Sequence, residues 1–149
     1  MNMSLKDWLK SGWLIEHQTS PQEIGDLLKV TDRDLADCQI SGLSTDGRFG
    51  IAYNAALQAA TAALAASGYR AAREAHHYRV IQSLSYTIKI DQDLIHKFDR
   101  FRKKRNIGGY ERTGAVSDME TDEMFNLAKS LRDQVEQWLH KYHPDLIKG

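Results

Sequence analysis

Apolar residues along this chain recur at intervals of three and four, the spacing that lays one helix face against a core. Residues 4–16 open with Ser4 and carry Leu5, Trp8, Leu9 and Gly12 at helical intervals. A second helix begins with Ser20 as N-cap, Pro21 at its first position and Glu23 as capping-box partner. It runs to about Ala36 on a stripe of Ile24, Leu27, Leu28 and Leu35. Residues 40–48 read as a loop, with Gly42, Ser44, Thr45, Asp46 and Gly47 as breakers. From Phe49 to Ser67 alanine dominates, and small side chains let helix backbones approach closely, so this helix is expected at the centre. Gly68 ends it. Residues 74–88 set His77, Ile81, Leu84 and Ile88 on one stripe. Asp91 caps the next helix, with Leu94, Ile95, Phe98 and Phe101, and Gly108 and Gly109 stop it. The last helix, 118–142, repeats Phe125, Ala128, Leu131, Val135, Trp138 and Tyr142. No run alternates long enough to predict a strand. The pattern predicts an all-α, up-and-down helical bundle of five to six helices, folded as a single domain over residues 1–149.

Composition narrows the function classes. Twenty basic side chains balance twenty acidic ones, so no global field drives binding to a polyanion. The balance is uneven along the chain. Residues 97–112 hold seven basic and two acidic side chains, whereas residues 1–50 and 113–149 each carry a net charge of −3. One concentrated basic segment in a neutral protein suits an anion held at one place. The lone Cys38 excludes an internal disulfide framework and a Cys-rich zinc site, and it reads as structural. Lys6, Asp7, Lys10 and Glu16 interrupt any signal-like apolar run, and no apolar stretch is expected to approach the ~18 residues of a membrane span. The expectation is a cytoplasmic protein without a membrane partner. No phosphate loop, zinc-protease motif or nucleophile elbow occurs, and neither a cofactor nor a metal is expected.

The basic helix holds the candidate chemistry. Leu94, Phe98 and Phe101 step along one stripe, and the next position on it is Arg105. Lys97, Arg100 and Lys104 point elsewhere and Arg102 lies at the stripe's edge, so most of these cations are expected to splay toward solvent. Two readings stand side by side: the core ends a turn early and Arg105 emerges at the rim, or the seam delivers a guanidinium to a site. Asn106 follows, and Gly108 and Gly109 permit a sharp turn that would bring the Tyr110 hydroxyl back toward Arg105. A guanidinium, an amide and a phenol facing a common space suit a phosphate.

The string RKKRNIGGY, residues 102–110, resembles the signature of the HEPN domain family: an Arg, often followed by Asn or another polar residue, with His five residues after the Arg. The stretch YRAAREAHHYRVIQSL, residues 69–84, looks like the helix pair of one bacterial HEPN branch, and the helix order resembles the family over roughly residues 20–142. The resemblance implies an all-α homodimer whose two motifs line a shared cleft. It also implies metal-independent endoribonuclease activity of toxin–antitoxin or defence type. The alternative it implies is a non-catalytic module that partners a nucleotidyltransferase, binds nucleotides or acts in a toxin–antitoxin pair. Carried over, Arg105 matches the motif Arg, Asn106 the polar residue after it, and Tyr110 stands where the family has His. Lys103, Lys104 and Arg112, with Arg102, would supply surrounding field for phosphate or RNA. Tyr titrates near ~10 against ~6.5 for His, so Tyr110 suits hydrogen-bond donation better than general base work.

Other candidates read more plainly. His77 lies on an apolar stripe and reads as a packing residue, with a place near a dimer cleft as the alternative. His140 and His143 have no third ligand at metal spacing. Trp8, Trp13 and Trp138 read as packing groups, and Arg70 and Arg73 either extend a phosphate surface or sit in a solvated loop.

Overall fold

A computed structural model describes residues 4–107 and 116–147 of the chain. It is an all-α helical bundle with one two-stranded clip among the described residues. Helix α1 spans Leu5–Lys10, where Ser4 and Asp7 satisfy each other's backbone N–H groups in a capping box. The helix expected over 4–16 stops there because Gly12 takes a φ of +81°. The chain then extends as strand β1, Leu14–Glu16, which pairs antiparallel with β2, Tyr69–Ala71. Three residues are too few to show alternation, which is why the sequence pattern missed both strands.

Helix α2, Pro21–Asp37, starts as expected with Ser20 Oγ accepting from the Glu23 N–H. The Glu23 carboxylate does not close a capping box. It is engaged by His17 Nε2 at 2.8 Å and by the Thr19 hydroxyl. Helix α3, Thr45–Ala66, begins four residues earlier than expected, because Ser44 caps it through the Gly47 N–H at 2.9 Å. The supposed loop breakers Thr45, Asp46 and Gly47 form its first turn. Gly68 follows α3 with a φ of +96°, the left-handed turn expected of it.

Alanine explains the position of α3. Ala52, Ala55, Ala56, Ala59, Ala60, Ala62 and Ala63 are fully buried, and α2 and α6 pack against their flat faces. By length and composition α3 could also cross a membrane, contrary to the sequence expectation that no stretch would; here 72% of its apolar window is buried within the bundle. Helix α4 is shorter than expected, His76–Ser83, starting after Ala75 at φ +54°. Helix α5 spans Gln92–Ile107, with Asp91 Oδ1 accepting from the Asp93 N–H, and α6 spans Asp118–Tyr142 behind a Ser117–Glu120 capping box. Arg132 ties α6 to α2 through two bonds to Asp32, at 2.7 and 3.0 Å.

Candidate functional site

The stripe of α5 carries the site. Phe98 and Phe101 are fully buried, edge-on to Tyr53 and Phe49 of α3 at 5.7 and 5.5 Å between ring centres. One turn further, Arg105 lays its guanidinium carbon 5.1 Å from the centre of the Tyr53 ring. Both readings hold in part: the buried stripe ends at Phe101 and Arg105 emerges exposed at the rim, and from there its guanidinium lies over an aromatic face. Among the described residues Arg105 makes no ion pair with a carboxylate.

Tyr53 connects this cation to α4. Its ring is 1% exposed, and its hydroxyl lies 3.2 Å from His77 Nδ1. Burial pushes the Tyr53 phenol up to about 12, overriding the opposite pull of Arg105 and Arg102. His77 is held below its ordinary value of 6.5, first by burial and then by the positive charges of Arg105, His76 and Arg102. Near neutral pH both members are uncharged, and the neutral imidazole keeps a lone pair on one of its two ring nitrogens. Arg102 stands at the rim, bonded to Asp99 Oδ1 at 2.7 Å and 5.5 Å from the Tyr78 ring centre. His76 is exposed beside the pair, its ring 5.9 Å from that of His77.

The basic segment is partly neutralised by its neighbours. Lys97 pairs with Glu123 at 2.8 Å and Lys104 with Glu120 at 2.6 Å, so two lysines expected to face solvent instead pin α5 to α6. Lys104 and the Ser117 cap hold the Glu120 carboxyl below its usual range. Lys103 is exposed and 3.8 Å from Asp99. The Asn106 side chain, Tyr110 and Arg112 lie outside the described residues. The structure thus brings Arg105 and Arg102 to one place, with Tyr53 and His77 as partners.

Tyr53 was missed in the sequence because an alanine-rich helix gives every position the look of core. Its signal is the step of four from Phe49, which puts a phenol tip on the same face one turn on. His77 is a satisfied packing residue, as expected, and it also faces the site. Trp8 and Trp13 pack as expected, edge-on at 5.8 Å, with Arg79 seated 3.6 Å from the Trp13 ring centre. Cys38 is buried, and burial pushes its thiol up to about 11. Arg70 sits in β2 and Arg73 in the exposed segment before α4. No cluster of three metal-ligating side chains occurs among the described residues. No protein-family model, curated protein or solved structure matches this chain.

Proposed function

We propose that this chain is a HEPN-like, RNA- or nucleotide-directed protein, and that on RNA it acts as a metal-independent endoribonuclease. The observation that carries the reading is one contact chain: Arg105 on the Tyr53 ring, and the Tyr53 hydroxyl on His77. Cleavage without a metal needs a cation on the phosphorane and a base for the 2′-hydroxyl. Arg105, with Arg102 beside it, supplies forked donors for the phosphate oxygens. His77 Nε2 takes the 2′-hydroxyl proton while Nδ1–H donates to Tyr53 Oη. The O2′–P bond forms, the P–O5′ bond breaks, and the leaving oxygen takes its proton from water. The products are a 2′,3′-cyclic phosphate and a 5′-hydroxyl. His77 fills the role for which the motif's own position offers Tyr110. Two copies meeting at α5 would line one cleft, in keeping with the resemblance.

Purified protein is expected to cleave single-stranded RNA in EDTA and leave cyclic phosphate ends. Arg105→Ala should lower the rate by about 100-fold or more, the scale of losing one preorganised charge-stabilising group. Unchanged cleavage by that variant sinks the assignment. The non-catalytic alternative rests on Tyr110 at the motif's His position. It predicts RNA or nucleotide binding without cleavage, together with a stoichiometric partner such as a nucleotidyltransferase or a toxin–antitoxin mate, read by co-purification.

A further inference from the structure

A second feature lies at the other end of α6. Trp138 is eighteen residues beyond Glu120, the residue that holds the Arg105 end of α5, which is ~27 Å along a helix. A cavity of about 450 Å³ opens there, lined by Thr87, Ile88, Lys89, Trp138, Tyr142 and His143. That volume falls in the range of small-molecule sites.

Three peculiarities converge on this cavity. Tyr142 is a large aromatic left 59% exposed. With His143, whose ring centre is 4.7 Å from that of Trp138, it forms an aromatic wall. Lys89 adopts a left-handed φ of +56°, pinned by its N–H to the Leu84 carbonyl at 2.9 Å. Non-glycine residues hold that backbone at a cost, and such strain gathers at functional positions. Among the described residues Lys89 makes no ion pair. Thr87 is 5% exposed, and its hydroxyl has no hydrogen-bond partner among the described residues. A buried hydroxyl without a partner is uncommon, and Thr87 lines the cavity wall, where a ligand could supply one. Burial holds the His143 imidazole below its ordinary value, so near neutral pH it contributes a ring face rather than a charge.

We infer that this cavity is a binding site for a planar heteroaromatic anion, its ring against Trp138, Tyr142 and His143 and its anionic group at Lys89. The site is separate from the Arg105 cluster. AMP is a suitable probe, with adenosine lacking the anion and ribose 5-phosphate lacking the ring. In the full chain, AMP should shift the Trp138 indole N–H resonance saturably, with adenosine roughly tenfold weaker and ribose 5-phosphate without effect on it. Lys89→Gly removes the ammonium and relieves the left-handed strain. It should raise the melting temperature and yet weaken AMP by roughly tenfold. Arg105→Ala should leave the Trp138 response in place, so a failure of the α5 site and a failure here read out separately. A Trp138 resonance unmoved by AMP overturns the inference. So does a response that Lys89→Gly leaves intact, or one that Arg105→Ala abolishes.

Discussion

A phenol sealed among apolar side chains beside two guanidinium groups is pulled both ways: burial disfavours the phenolate, and the cations favour it. At Tyr53 burial prevails, at about 12, so the hydroxyl keeps its proton and its work is to orient His77. Tyr53→Phe should cost about 1 kcal/mol of stability, the usual worth of one hydrogen bond. It should also lower RNA cleavage by roughly tenfold while leaving RNA affinity unchanged, because the phosphate contacts stay; tenfold is ~1.4 kcal/mol of barrier. Denaturant melts and a rate-against-affinity comparison check both. Cleavage should rise with pH through a midpoint below 6.5, the folded His77 value being depressed, and be flat by pH 7. A midpoint above 6.5 would contradict a base held neutral by burial and by Arg105. The step from Phe101 to Arg105 was legible because it continues a four-residue interval. The partner ring was not, because a sequence shows one helix face at a time and Tyr53 belongs to another helix.

Helix α3 sets the spacing of the whole bundle through residues that have almost no side chain. Ala60 is fully buried where α3 is gripped by its neighbours, so Ala60→Leu would force extra carbons into filled space. A loss of about 1–3 kcal/mol is expected in equilibrium unfolding, with far-UV helicity retained. Long elements were legible for the same physical reason that they are stable: α6 and α2 each repeat an apolar face over several turns, and the first residues of both sit behind serine caps. Short elements were not. The start of α3 was hidden by Thr45, Asp46 and Gly47, which favour turns in isolation but are tolerated in a first turn whose N–H groups Ser44 satisfies. The basic helix looked splayed because the sequence does not show that Glu120 and Glu123 of α6 lie beside it.

Across the molecule, acid should act in two stages. His77 and His143 have folded values below 6.5, so the unfolded chain binds more protons once pH drops past that value. Their contribution is complete above about pH 6.5 and shrinks as pH falls toward their folded values. Glu23 and Glu120, both lowered from 4.5, contribute fully above that value and lose their share as pH falls through their folded ones. Melting temperature measured from pH 8 to pH 3 should therefore decline first below about 6.5 and again below about 4.5. A flat response between pH 7 and 5 would contradict the first stage. The clip of β1 on β2 has a reach larger than its six residues. The His17 N–H binds the Gly68 carbonyl and the Ala72 N–H binds the Trp13 carbonyl, each at 2.9 Å, so the bonds run past both strand ends. Only four residues separate Ala71 from the His76 that opens α4. The amino-terminal stretch is thereby a leash on the helix that presents the imidazole, and a protease cut near Gly12 would slacken the contact of Arg105, Tyr53 and His77 without touching any group within it.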